Sequence, residues 1–376
     1  MLHLTTSDVS VRFLLLDQLK YLIARGFEVH AASGTTTWTA EIESHGIRMH
    51  NVDMSRRVTP REDVRSFQQL RSIIRRLRPD IVHTHTPKAS LLGQYAALSS
   101  GTRVRVHTIH GLYFPASARG SRLLPFLALE WTTMAPAHRV LSQSSEDVRT
   151  CLRYRLCSAD RLRYLGNGID VDRFRPPSAA EVVAARASLA LRPSDRVVGI
   201  VGRLVREKGY LEFFAAAAIL IRGHPDVRFL VIGPEEPDKT DAISNRDAAR
   251  FGLGDRIQFL GMRTDVERLY WAMDILAFPS HREGFPRTPM EASACGCPVV
   301  AADVRGSREA VRPGFNGELV PVRDPTALAR AIDGLLRDDA RRTALGRSAR
   351  NLALAEFDQR LVFERVATAY SELRPL

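Results

Sequence analysis

Two glutamates eight positions apart, Glu283 and Glu291, bracket the segment Gly284-Phe285-Pro286-Arg287-Thr288-Pro289-Met290. Thr288, Pro289 and Glu291 fit the N-cap, N1 and N3 positions of a capping box, which predicts a helix starting at Thr288. Glu291 would then stand on the first turn, and Glu283 on the loop before it. Backbone N–H groups at a helix start are a natural seat for a phosphate. A carboxylate on each side of such a seat suits a nucleotide-sugar, one holding ribose hydroxyls and the other the sugar. The plainer alternative is that T-P-x-E is only a helix cap. The stretch A-S-A-C-G-C-P-V-V-A-A-D that follows predicts a short small-residue helix closed by Gly296, then a buried strand.

Other residues carry compatible chemistry. Arg203 and Lys208 follow an apolar run and flank a loop ending at Gly209. A forked guanidinium beside a point-charge ammonium suits a diphosphate; a solvated basic turn is the alternative. The chain contains neither G-x-G-x-x-G nor G-x-x-x-x-G-K-[ST], so dinucleotide and ATPase readings are unsupported. His110, at a strand end before Gly111, is placed to donate or accept a hydrogen bond. His107 points into the sheet and is structural. His83 and His85 share one strand face, but no third ligand follows at a suitable spacing, so no metal is expected there. Asp170-Val171-Asp172 lies in a linker loop rather than after a nucleotide-binding strand, and its likeness to a D-x-D metal site is coincidental. Lys88, one of only four lysines, sits near a helix start and could meet an acceptor phosphate.

These residues need elements to carry them. Runs rich in β-branched residues at 2–7, 27–33, 80–85, 104–110 and 140–144 predict strands, alternating with helical spacing over 12–25, 64–78 and 89–99. The pattern restarts with strands at 197–201, 229–232, 257–260, 275–279, 299–302 and 319–322, among helical stretches such as 211–222 and 266–273. Such alternation predicts right-handed βαβ units around parallel sheets. Arg173-Phe174-Arg175-Pro176-Pro177-Ser178 marks a break near Pro176, and a long helical tail over 326–373 is interrupted at Phe357-Asp358.

Length and composition agree. The 376 residues, 45% apolar and 26% charged, suit two globular domains. No apolar run reaches the roughly 18 residues of a spanning helix, and the start reads as a strand rather than a signal peptide. The expected location is the cytoplasm, with peripheral contact at the inner face of the membrane. The four cysteines fit structural small residues better than a disulfide framework or a zinc knuckle. The net charge of +12 is lopsided: through Arg175 there are 25 Lys and Arg against 15 Asp and Glu, and beyond it 29 against 27. A basic first half predicts an anionic partner, with an anionic membrane surface among the candidates. Basic recognition helices and aromatic ladders are missing, which argues against nucleic acid.

The segment from Glu283 to Glu291 and its small-residue continuation resembles the E-x7-E signature of retaining glycosyltransferases of family 4, which adopt the GT-B fold. His107-Thr108-Ile109-His110-Gly111, Gly166-Asn167-Gly168-Ile169-Asp170 and Gly202-Arg203-Leu204-Val205-Arg206-Glu207-Lys208-Gly209 extend the resemblance over some 180 residues. It implies two Rossmann-like doubly wound α/β domains facing across a cleft: 1–176 for the acceptor, 177–356 for the nucleotide-sugar, and 357–376 as a helix returning to the first domain. The site would lie in the cleft, at the carboxyl ends of the strands. By the same resemblance, Glu283 and His110 contact the sugar, Arg203 and Lys208 neutralise the pyrophosphate, and Glu291 takes the ribose hydroxyls. Phe285, Arg287 and Thr288 join the donor site; no metal or other cofactor is required.

One departure stands out. Many members carry a Gly-Gly loop after the first strand, whereas this chain has Thr5-Thr6-Ser7-Asp8-Val9-Ser10-Val11-Arg12-Phe13. Ser10 and Arg12 would substitute there. S-V-R-F, with Thr86-Pro87-Lys88-Ala89-Ser90, resembles the exopolysaccharide and capsule subset that acts on undecaprenyl-diphosphate-linked sugars. The expected activity is a front-face transfer of a hexose or N-acetylhexosamine, with a UDP-sugar as donor and a glycan or polyprenyl-diphosphate-linked acceptor. A catalytically silent nucleotide-sugar-binding subunit is the alternative. A phosphorylase of the same fold is a weaker one, since Lys239, its candidate cofactor lysine, sits in a charged loop.

Overall fold

The computed structural model describes residues 1–55, 57, 59–112 and 120–373. The chain divides into two compact units: Met1–Gly166 together with the chain from Val362 onward, and Asn167–Leu361.

The first unit is a seven-stranded parallel sheet of β1 (Leu2–Ser7), β2 (His30–Gly34), β3 (Arg48–Asn51), β4 (Ile81–Thr84), β5 (Val104–Ile109), β6 (Arg139–Ser142) and β7 (Leu162–Tyr164). Their spatial order is β3-β2-β1-β4-β5-β6-β7. Leu2, Leu4, Ala32 and Val82 face one buried cluster, whereas Ala31, Ile81, Val104, Val106 and Leu141 face another. Both faces are covered, as parallel sheets require. Val362, Val366, Ala369 and Tyr370, on the last helix (Gln359–Ser371), complete the second cluster. β3 and β7 were not anticipated: Arg48-Met49-His50-Asn51 and Leu162-Arg163-Tyr164 are short and mostly polar edge strands, without the apolar run that betrays an inner strand.

The second unit repeats the plan with β8 (Arg196–Val201), β9 (Val227–Ile232), β10 (Ile257–Gly261), β11 (Ile275–Phe278), β12 (Val299–Ala302) and β13 (Gly317–Val320), ordered β10-β9-β8-β11-β12-β13. Val197, Leu230, Ile232 and Leu276 face one side; Val198, Ile200, Phe229, Val231, Ile275 and Ala277 face the other. Residues ahead of Pro176 already belong here. Ile169, Val171 and Phe174 are buried in this core, and Ile169 bridges to Asp358. Each unit is therefore a doubly wound α/β sheet of the GT-B type. The strand order reverses between β1 and β4 in one and between β8 and β11 in the other. Ligand crevices in such sheets open at those reversals, beyond the carboxyl ends of the strands.

Among the described residues, no helix is long and apolar enough to cross a membrane.

Candidate functional site

In the second unit, the loops after β8 and β11 meet at the reversal. The chain leaves β8 through Gly202 and Arg203, crosses a short 3-10 turn (Arg206–Lys208), and enters the helix Tyr210–Leu220 at Gly209. Gly209 has φ +78°, and a Cβ there would overlap the Pro279 carbonyl oxygen. Only glycine permits this close crossing. The two loops are laced together. His281 N–H and Ser280 Oγ donate to the Glu207 carbonyl at 2.8 and 3.3 Å. His281 also meets Glu212 at 3.0 Å, and Arg282 pairs with Glu207 at 2.7 Å.

This lacing brings Lys208 Nζ to 2.5 Å from Glu283 Oε1, both side chains largely buried. Two residues 75 positions apart, singled out for different parts of one ligand, are thus neighbours. Arg203 is exposed and pairs with Glu236 at 3.0 Å. Gly306 packs against Glu283, since a Cβ there would overlap Gly284 O and crowd Glu283 Cβ.

The helix carrying Glu291 starts earlier than the capping-box reading predicts. It runs Arg287–Ala294 with Pro286 as N-cap and no side-chain cap bond. Pro286, at φ −74° and ψ 135°, sets the entry angle, and Pro289 falls at the third helical position, where a missing N–H costs nothing. From the N-cap to the third helical position, only Arg287 and Thr288 carry an N–H. Glu291 therefore lies beyond the first turn. Its Oε2 accepts from the Tyr270 hydroxyl at 3.0 Å, and Arg287 Nε stands 3.8 Å from Oε1. Burial raises the Glu291 pKa, against the pull of Arg287 and Tyr270. The Phe285 side chain, expected in the donor site, is instead core, edge-on to Phe357. The Phe285 carbonyl accepts from Asn167 Nδ2 at 2.7 Å. Tyr270 and Asn167 are additional site residues: Tyr270 reads in sequence as ordinary helix core, while Asn167 was visible only as part of the N-G-I-D stretch.

Asp170, of the D-x-D stretch, accepts from the N–H groups of Asp172 and Arg173 at 3.0 Å each. Its carboxylate caps its own turn.

In the first unit, β1 runs into one helical stretch, Asp8–Ala24, interrupted by a π-turn at Val11–Leu15. Ser10 is at the entrance of that turn. Arg12 pairs with Glu41 at 2.6 Å and lies over Phe13 and Trp38. Asp8, unremarked in sequence, is buried and accepts from Thr36 N, Thr36 Oγ1 and Thr39 Oγ1 at 2.6, 2.7 and 2.9 Å. Burial raises its pKa, but these bonds outweigh burial and the net shift is downward. Lys88 is committed to protein partners: Asp63 at 2.6 Å, Thr59 at 3.3 Å and the Arg57 carbonyl. It ties Arg57 and Thr59 down ahead of the helix Pro60–Leu77.

His110 stands at the carboxyl end of β5, 3.1 Å from Gln143 Oε1 and 3.2 Å from His85. A third imidazole absent from the sequence reading, His3, lies beside His83 in register on β1. His3, His83 and His85 could in principle bracket a metal ion. His3 and His85 meet each other, His83 meets the Tyr370 and Thr108 hydroxyls, and His85 also meets His110.

Burial pushes the pKa values of His107 and His110 down to about 4. The unfolded chain, with histidines near 6.5, binds protons that the folded unit refuses. Stability is therefore complete above pH 6.5 and falls as the pH drops from 6.5 toward 4, by about 1.4 kcal/mol per pH unit per histidine. Denaturant titrations at pH 7.5 and 5.5 are expected to show a loss of ~1–3 kcal/mol from these two at the lower pH, with buried His3, His83 and His85 adding to it in the same direction.

Known proteins resemble the chain along its length. The family described as Glycosyltransferase Family 4 matches residues 13–173, and that described as Glycosyl transferases group 1 matches residues 183–352. The capsular polysaccharide biosynthesis glycosyltransferase CapM of Staphylococcus aureus is 25% identical over 373 residues, 98% of this chain and 96% of its own. The UDP-Gal:alpha-D-GlcNAc-diphosphoundecaprenol alpha-1,3-galactosyltransferase of Escherichia coli is 28% identical over 309 residues, 81% and 78%. The crystal structure of Anabaena Alr3699/HepE with UDP-glucose superposes with a TM-score of 0.83 at 24% identity, covering 99% of each chain.

Proposed function

We propose that this chain, which belongs to the family 4 glycosyltransferases, moves a hexose or N-acetylhexosamine from a UDP-linked donor to a lipid-linked or glycan acceptor, with retention at the anomeric carbon. The observation that carries the reading is the meeting of Lys208 and Glu283, with Glu291 on the adjoining helix, beyond the ends of β8 and β11. As the bond from the sugar to the diphosphate breaks, negative charge grows on the departing group, and fixed cations aimed there lower the barrier. Lys208 supplies one such charge, and Arg203 a second after leaving Glu236. The ion pair to Lys208 holds Glu283 ready for the sugar hydroxyls. On the first unit, His110 contacts the transferred sugar. Glu291 accepts from the ribose hydroxyls, oriented by Tyr270, and Arg287 and Thr288 offer their amides to phosphate. Ser10 and Arg12 serve the acceptor. The lipid-linked acceptor and UDP-sugar in the E. coli relative's name support these choices, and such an acceptor puts the work at the cytoplasmic face of a membrane. No metal is required.

Incubation with radiolabelled UDP-sugars and membrane lipids, with the anomeric configuration of the product read by NMR, tests the reading. An α-linked product from an α-linked donor, formed equally in EDTA, is expected. Bound but unconsumed UDP-sugar would indicate a silent binding subunit. Tyr270→Phe adds a second check. Without its hydroxyl the raised Glu291 pKa climbs further, so UDP affinity by calorimetry is expected to fall about tenfold, and more at pH 6 than at pH 8.

A further inference from the structure

Three imidazoles run in line through the first unit. His3 Nδ1 lies 3.0 Å from His85 Nε2, and His85 Nδ1 lies 3.2 Å from His110 Nε2. His110 Nδ1 ends the series 3.1 Å from Gln143 Oε1. Burial holds all three rings neutral, so each carries one N–H. An amide oxygen only accepts. His110 must therefore carry its proton on Nδ1, which leaves a lone pair on Nε2. His85 must then donate from Nδ1 and accept on Nε2, and His3 must donate from Nδ1. Met1 Sδ, 3.4 Å from His3 Nε2, is too weak an acceptor to reverse the direction. His83 stays outside the series: its nitrogens meet the Tyr370 and Thr108 hydroxyls at 2.5 and 2.7 Å, while its ring packs on His85 with centroids 4.1 Å apart.

We propose that His85 is a positioning residue that, with Gln143, locks His110 in its Nδ1–H tautomer: His85 donates to Nε2 while Gln143 Oε1 accepts from Nδ1–H. With both nitrogens satisfied inside the chain, His110 presents a neutral ring of fixed orientation and has no proton on Nε2 to give to a departing group. Its work is to orient and exclude, not to act as a general acid. Topology explains why such a device sits here. β1 and β4 meet at the sheet's reversal with β5 beside them, so one residue from each stacks along the same face. The kinetic consequence rests on His110 serving the sugar; the tautomer does not.

The test is 15N NMR of the imidazoles in the intact protein, with His110 assigned by comparison with His110→Gln. A single Nδ1–H tautomer for His110, unchanged between pH 6 and 8, is expected. In His85→Asn the amide N–H stands near the former Nδ1–H and should keep that signature. In His85→Gln the amide aligns with the former Nε2 and should lose it. Turnover is expected to fall about tenfold in His85→Gln and to stay within about threefold in His85→Asn. A role in packing alone would not favour the smaller side chain. An Nε2–H tautomer for His110, or a His110 spectrum unaltered by His85→Gln, would overturn the proposal. If the spectra behave as expected while His85→Gln and His110→Gln both turn over normally, the lock stands and the reading of His110 as a sugar contact falls.

Discussion

Glu283→Gln is expected to reduce turnover about 100- to 1,000-fold while leaving the affinity for UDP within about threefold. The two halves of that result have separate causes. Glutamine keeps the shape and one acceptor oxygen, but it carries no charge to set against the positive character that develops on the sugar. A preorganised charge of this kind is worth roughly 3–4 kcal/mol in a water-poor site. Binding of the nucleotide portion, by contrast, is assigned in the proposed reading to Lys208, Arg203 and Glu291. Freed from its 2.5 Å partner, Lys208 keeps its full charge for a diphosphate. Steady-state kinetics with a saturating donor, alongside calorimetry with UDP, would separate these effects. Unaltered turnover in this variant would remove Glu283 from the chemistry.

Gly209→Ala is expected to cost about 3 kcal/mol in the second unit, lowering its unfolding midpoint by roughly 6–12 °C. Alanine at φ +78° pays a left-handed penalty of about 1–2 kcal/mol, and its Cβ must also push the Pro279 carbonyl aside. Pro279 begins the loop that carries Glu283, and Lys208 is the residue before Gly209. The same displacement should therefore separate the Lys208–Glu283 pair and lower turnover. Gly26→Ala is the control: φ is +83° there, but nothing lies within 4 Å of the added carbon. It should cost about 1 kcal/mol and leave turnover unchanged.

The periodicity of β-branched runs revealed the inner strands of both sheets, because an inner parallel strand must be apolar on both faces. All six strands of the second unit were legible, the edge strands β10 and β13 included, because those two edges still carry apolar runs. The edge strands β3 and β7 were not, since a polar edge looks like a loop. At the site, Lys208 and Glu283 were recognisable by type, and only the fold brings them together. Two local readings failed for physical reasons. Pro286 takes the cap that Thr288 seemed suited to, and Lys88, read as able to meet an acceptor phosphate, is held by Asp63 and the Arg57 carbonyl. His3 was invisible as a partner of His85 because the two lie 82 positions apart and only strand order makes them adjacent.

The placement of Tyr370 has a consequence for biogenesis. Among the described residues, His83 Nδ1 finds its partner in that hydroxyl, 287 positions later, and Leu165, Val362 and Val366 share one cluster. One face of the leading half's sheet is therefore left unfinished until the last helix is made, and ending translation at Leu361 should yield a leading half prone to chaperone capture and proteolysis.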